Sequence, residues 1–393
     1  MESLKFPKSF LWGSATSAYQ VEGGIENNDW AEAARQGKIP PAGRACDHYN
    51  RYEEDFDIAK SLGQNAHRFS IEWARIEPEE GRFDERAIEH YRSVLRALHD
   101  RGLEPFVTLW HFNLPVWFAR MGGFENKKAA FYFERYCEYV MSKLAASTKT
   151  TASQGGIGVR FWITINEPIV YASQGYLRGG WPPFKKNIFR FIKVVDNLAV
   201  SHNVAYKKIK SIQPLAQIGI AKNQFNFEAD RNPINRLLAK FLIWFWNHRF
   251  IGKISESQDF IGINHYFYKK FGGKNIHEKS DMGWDIYPKG IYNVLMELKR
   301  YHKPIYITEN GIADATDTKR TKFIKDYLYW IYRAIHDGID VRGYFYWSLL
   351  DNYELHHGFK YRFGLIEMDY ETMERKIRPS AHEYKRICEA NSL

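Results

Sequence analysis

Two glutamates stand in matching settings in this 393-residue chain. Glu167 closes the run Thr164-Ile165-Asn166 and is followed by Pro168, and Glu309 closes Ile307-Thr308 and is followed by Asn310-Gly311. Two carboxyl groups held about 5 Å apart suit double displacement at a glycosidic carbon. One attacks as the carboxylate, while the other protonates the leaving oxygen and then activates water. Mutual repulsion and unequal surroundings drive the two pKa values apart, leaving an acid beside a nucleophile near neutral pH. Either glutamate alone reads equally well as a surface or ion-pair residue. The pair, at equivalent positions after short apolar runs, is what points to chemistry.

Such a pair needs a scaffold that delivers both groups to one rim. Short apolar runs rich in β-formers fall at 10–17, 64–71, 104–110, 159–165, 217–223, 259–264, 304–308 and 341–347. This length and composition predict eight buried strands. Between them lie helical patterns: Ile88, Tyr91, Val94, Leu95 and Leu98 in one, and Phe323, Ile324, Tyr327, Leu328, Ile331 and Ile335 in another. Eight alternating units predict an α/β fold, a single (β/α)8 TIM barrel spanning 1–393, with the site at the C-terminal ends of its strands. No linker rich in Pro, Gly or Ser divides the chain. The stretch 147–158 reads as a surface loop, and its Gly155-Gly156-Ile157-Gly158 precedes a strand where a dinucleotide fingerprint must follow one.

Composition narrows the partners. Lys and Arg outnumber Asp and Glu by 56 to 46, giving +10, but the cations are scattered in short pairs such as Lys185-Lys186 and Lys207-Lys208. No basic stripe or nucleic-acid motif accompanies them, so nucleic acid is not the expected partner. Cys46, Cys137 and Cys388 lie far apart without a C-x-x-C pair, which fits a reducing compartment. The first residues lack the apolar core of a secretion signal, and the most apolar stretch, 237–250, is broken by Lys240 and His248. The expectation is a cytoplasmic protein with no membrane partner. Aromatic residues make up 16 %, enough both to fill a core and to line a pocket for sugar rings.

The runs Thr164-Ile165-Asn166-Glu167-Pro168 and Ile307-Thr308-Glu309-Asn310-Gly311 closely resemble the two catalytic motifs of glycoside hydrolase family 1, the β-glucosidase family. The resemblance extends from Phe10-Leu11-Trp12-Gly13-Ser14-Ala15-Thr16 to Arg362-Phe363-Gly364-Leu365. It implies a retaining β-glycosidase, most simply a β-glucosidase, acting on a small β-glycoside or short oligosaccharide. In that likeness Glu167 is the general acid/base and Glu309 the nucleophile. Arg68, in His67-Arg68-Phe69-Ser70, matches the cation beside the nucleophile, and Tyr266 the tyrosine that hydrogen-bonds it. Asn166 matches the contact to the sugar 2-hydroxyl. Gln20, His111 and Glu354 match the readers of the remaining hydroxyls, Trp347 the aromatic floor and Trp284 the aglycone platform. Each of these side chains also has an ordinary packing or ion-pair reading; their joint placement on one rim is what favours function.

The departures carry expectations too. Leu355 stands after Glu354 where the family usually has Trp, removing an indole face and its N–H donor from the sugar pocket. Phe112 stands where Trp usually follows the His111 position, and His265 replaces a common Tyr. Glu167 and Glu309 are 142 positions apart, short for the family, with the missing length around 248–259. This predicts a more open aglycone side and broad aglycone tolerance. A phosphorylated sugar is the nearest competing substrate, disfavoured by the carboxylate of Glu354. The 14 histidines are dispersed and no H-E-x-x-H occurs, so neither metal nor organic cofactor is expected. The rival from another class is a catalytically silent sugar-binding barrel, against which Glu167 and Glu309 both argue.

Overall fold

A computed structural model describes residues 4–145, 158–273 and 277–393. Each of the eight expected runs forms a strand: β1 (Leu11–Ala15), β2 (Ala66–Ser70), β3 (Glu104–Trp110), β4 (Phe161–Asn166), β5 (Gln217–Asn223), β6 (Ile261–Asn264), β7 (Ile305–Asn310) and β8 (Val341–Trp347). They close into one barrel in which every strand pairs parallel with its sequence neighbours and β8 returns to β1, Leu11 facing Gly343 and Ala15 facing Trp347. Burial on both faces explains why these segments read as continuous apolar runs instead of alternating ones. Most of the 147–158 loop, including Gly155, Gly156 and Ile157, lies outside the described residues.

The outer layer is formed chiefly by α1 (His48–Ser61), α2 (Glu85–Asp100), α3 (Ala129–Leu144), α4 (Ile188–Ile212), α5 (Arg249–Ile254), α6 (Lys289–Leu298), α7 (Arg320–His336) and α8 (Pro379–Ala390). The two periodic patterns fall on α2 and α7, whose apolar faces pack inward; Ile335, at the end of α7, is only half-buried. α2 begins where the Asp84 carboxylate accepts from the Arg86 amide, satisfying one of the unpaired donors of the first turn. A two-stranded parallel sheet, Asn226–Ala229 with Tyr268–Phe271, and an antiparallel pair, Ile366–Met368 with Arg375–Ile377, are additions that the alternating pattern did not predict.

The barrel interior is filled beneath the rim by rings. Phe106 stacks on Phe161 at 4.2 Å, with Tyr306 edge-on at 5.1 Å and Phe345 at 4.6 Å. These four rings fill the barrel beneath the site, which lies at the C-terminal end. There β7 and β8 approach so closely that a side chain at Gly311 would meet the carbonyl oxygen of Trp347 at 1.7 Å. Glycine is obligatory at that contact, which sets the end of β7, and hence Glu309, against the end of β8.

Candidate active site

The strand ends converge on a cavity of about 290 Å³. Nine of the ten residues expected at the site line it: Asn166 from β4, Glu309 from β7, Trp347 from β8, and Glu167, Gln20, His111, Tyr266, Trp284 and Glu354 from the segments that follow strands. The tenth, Arg68, is fully buried below the floor.

Glu167 enters the cavity through an unusual backbone. Its φ is +41°, a left-handed conformation that costs a non-glycine residue roughly 1–3 kcal/mol. The turn is held by its own N–H donating to Ala221 O at 2.7 Å and by Pro168 opening a short helix, Pro168–Ala172. Its Oε1 accepts from Asn264 Nδ2 at 3.0 Å and Asn223 Nδ2 at 3.1 Å.

Glu309 has different company. Oε1 accepts from Arg68 Nη1 at 2.5 Å and Oε2 from the Tyr266 hydroxyl at 2.9 Å. Arg68 is fixed by every nitrogen: Nη1 also donates to Thr308 O at 3.1 Å, Nη2 to Asn166 Oδ1 at 2.6 Å and Nε to Thr108 Oγ1 at 3.1 Å. A guanidinium satisfied in this way cannot swing away from the carboxylate it faces.

The two glutamates therefore differ in charge. Burial, and then the neighbouring Glu309, push Glu167 up to about 7. Burial raises Glu309 as well, but Arg68 and the Tyr266 hydroxyl oppose it. With a cation touching only one member of the pair, the negative charge resides on Glu309 and the proton on Glu167. Hydrogen bonding to Asn264 favours the ionised form of each carboxyl group, so the pair shares an amide neighbour. Thr308 Oγ1 fixes that amide by donating to Asn264 Oδ1 at 2.7 Å.

On the far wall, Asn166 Nδ2 donates to His111 Nε2 at 3.1 Å, which puts the imidazole hydrogen on Nδ1. Burial and Arg68 keep this ring neutral. His111 Nδ1 and Glu354 Oε2 are buried and have no partner among the described residues. Buried polar atoms without partners are costly, and both residues line the cavity. Burial, with Glu309 and Glu167 nearby, pushes Glu354 up to about 8, so its carboxyl is mostly protonated at neutral pH. It can then donate as well as accept, and the like-charge argument against a phosphorylated sugar weakens accordingly.

Gln20 is spent largely within the protein, Nε2 donating to Asn352 Oδ1 and Tyr353 O, both at 3.0 Å. The ring of Trp347 lies nearly parallel to His111 at 6.1 Å, and Trp284 packs against Phe267 at 4.4 Å and Tyr266 at 5.7 Å. Leu355 and Phe112 both line the cavity. An indole does reach this corner from elsewhere: Trp181 lies 4.9 Å from Phe112, but its N–H donates to His356 Nδ1 at 2.8 Å. The donor lost at Leu355 is thus not replaced by Trp181. Leu355→Trp is expected to lower KM for aryl glycosides by about fivefold, the worth of one hydrogen bond, with kcat little changed. An unchanged KM across several sugars would show that the position does not reach the substrate.

Asn223 and Asn264 went unnoticed in the sequence although both end predicted strands, the signal that exposed Glu167. Lys222 was missed as well. It is fully buried on β5, its ammonium donates to Asn223 O and lies 6.0 Å from the Trp246 ring, and its charge lowers the pKa of Glu167. Among the described residues no group of three His, Cys, Asp or Glu could hold a metal ion.

Comparison with known proteins agrees with this geometry. The model of glycosyl hydrolase family 1 matches residues 2–254 and 247–393. Beta-glucosidase A of Acetivibrio thermocellus is 34 % identical over all of both chains. A beta-glycosidase from Pyrococcus horikoshii superposes with a TM-score of 0.92 at 39 % identity, covering all of this chain and 96 % of the other. A family 1 β-glucosidase from Thermotoga maritima does so with a TM-score of 0.92 at 31 % identity over both whole chains; that protein has also been solved with glucoimidazole. The chain is a member of glycosyl hydrolase family 1.

Proposed function

We propose that the chain is a retaining β-glucosidase-type glycosidase that acts on small β-glycosides. The observation that carries this reading is the unequal carboxylate pair, with Glu309 against Arg68 and Tyr266 and Glu167 on neutral amides. Glu309 attacks the anomeric carbon as Glu167 passes its proton to the leaving oxygen, forming a covalent glycosyl-enzyme. Glu167, now ionised, takes a proton from the incoming water, and the sugar leaves with its original configuration. Asn166, oriented by Arg68, meets the 2-hydroxyl; His111 and Glu354 read the other hydroxyls above Trp347, and Gln20, its amide hydrogens already used, offers only Oε1. Trp284 carries the aglycone, and the 142-position spacing of Glu167 and Glu309, short for the family, supports an open aglycone side and broad tolerance there.

Hydrolysis of a panel of aryl β-glycosides, with the first-formed anomer followed by proton NMR, tests the proposal. The β-anomer should appear first. No turnover at any pH would favour a silent sugar-binding barrel, and a first-formed α-anomer would exclude the retaining mechanism.

The pKa directions also set the pH profile. Activity requires Glu309 ionised and Glu167 protonated, so kcat/KM should rise on the acidic side as Glu309 loses its proton and fall above about pH 7 as Glu167 loses its own. Lys222, which burial pulls down to about 7, favours the charged form of Glu167 only in the fraction that keeps its own proton. Lys222→Met should therefore move the basic limb upward, by less than about one pH unit. An unmoved or lowered limb would contradict the coupling.

No described helix is long and apolar enough to cross a membrane. The three buried, unpaired cysteines support a cytoplasmic location.

A further inference from the structure

Beyond β5 the chain leaves the rim through a helix, Pro233–Leu242, which continues through a wide helical turn, Ile243–His248, into α5. Ile234, Leu237, Leu238, Phe241 and Trp244 recur at helical spacing along it. All five face solvent, Ile234 being 76 % and Leu237 71 % exposed. The other side packs normally: Ala239 is buried, and Phe245 meets Phe191 of α4 with ring centroids 6.0 Å apart. At the start of α4, beside that contact, Phe189 is 80 % exposed and Ile188 45 %. Isolated apolar residues on a surface are ordinary, but seven large ones on two adjoining helices are not.

The charges around this face are mostly positive. From 231 to 253 the chain carries five Lys or Arg and no Asp or Glu. Arg249 and Lys253 are both paired with Asp196. Arg231, Arg236 and Lys240 are exposed and meet no carboxylate among the described residues. From 185 to 193 there are four more cations, of which Lys185 and Arg190 pair with Glu125. The face also sits on the catalytic side of the barrel: Trp246 Nε1 donates to Asn223 Oδ1 at 3.3 Å, and Asn223 is the residue that donates to Glu167.

An apolar helical face rimmed by unpaired cations is complementary to an anionic bilayer, where the side chains enter the headgroup boundary and the cations meet lipid phosphates. A second copy of the chain would instead set these cations against one another. We propose that 231–244, with the start of α4, docks the enzyme peripherally on an anionic lipid surface, placing the barrel mouth near the headgroups. This departs from the expectation, drawn from sequence, of no membrane partner. That expectation weighed only whether 237–250 could span a bilayer, and a helix lying in the interface needs no such length.

The test is sedimentation of the full chain with vesicles of phosphatidylcholine alone or of equimolar phosphatidylcholine and phosphatidylglycerol, at low and high salt. The wild type should bind the mixed vesicles, less so at high salt. A Leu237→Gln/Phe241→Gln/Trp244→Gln variant should lose about tenfold or more in partitioning. Arg231→Gln/Arg236→Gln/Lys240→Gln should lose about fivefold per cation on the anionic vesicles only. Both variants should hydrolyse a soluble aryl glycoside as the wild type does, which shows that they are folded. Failure of the wild type to sediment with anionic vesicles, or equal sedimentation of all three proteins, would overturn the proposal. So would a wild-type dimer, seen by sedimentation velocity without vesicles, that the apolar variant converts to monomer; the face would then belong to a second copy.

Discussion

Glu309→Ala should lose about 10⁴- to 10⁶-fold in kcat, the scale on which removal of an enzymatic nucleophile acts. The substitution opens space directly against Arg68, whose guanidinium is held by Thr308, Asn166 and Thr108 and cannot follow the lost carboxylate. A small anion fits that vacancy in both size and charge. Azide should therefore restore part of the turnover of an activated aryl β-glycoside, and because it attacks the anomeric carbon directly, the product should be the α-glycosyl azide. Glu309→Gln provides the control. It keeps the side-chain volume, leaves no room for azide and should show the same loss without rescue. A β-azide from Glu309→Ala, or rescue of Glu309→Gln, would reverse or remove the role given to Glu309.

The sequence made this site legible to different degrees, for physical reasons. Strands buried on both faces must be apolar throughout, so the apolar runs mark the strand ends, and with them Glu167 and Glu309, while Asn166 stands out only through the family resemblance. Glu167 lies one residue beyond β4, and its approach to the cavity depends on a left-handed turn that no periodicity announces. Asn223 and Asn264 were available by the same rule of strand ends, but an isolated asparagine has no recognisable chemistry until a carboxylate is seen beside it. Trp181 and Lys222 were beyond reach. Trp181 meets Phe112 and His356 only because separate loops fold over the rim, and Lys222 reads in sequence as a surface lysine although it is fully buried. The stretch 237–250 is apolar in sequence; which of its faces meets solvent is decided by the packing of Phe245 on α4, which is a tertiary fact.

Glu167→Ala should produce a loss that depends on the leaving group, and this distinguishes an acid/base from a residue that merely shapes the pocket. An alkyl β-glycoside, whose alkoxide leaves poorly, needs the proton and should lose about 10²- to 10⁴-fold in kcat/KM, the contribution general acid catalysis makes. A dinitrophenyl glycoside needs little protonation, so its first step should be nearly unaffected. The glycosyl-enzyme on Glu309 then accumulates, because no base remains to activate water, and a burst of phenolate should precede slow turnover. Azide needs no such base. It should speed the second step and, by displacing Glu309 from the glycosyl-enzyme, yield the β-glycosyl azide, the opposite anomer to that expected from Glu309→Ala. The fall in kcat/KM above about pH 7 should also disappear, since the proton whose loss causes it is gone. Equal losses for both leaving groups, or a basic limb that survives the substitution, would mean that the proton comes from elsewhere. Among the pocket residues the next candidate is Glu354, whose carboxyl burial also keeps mostly protonated at neutral pH.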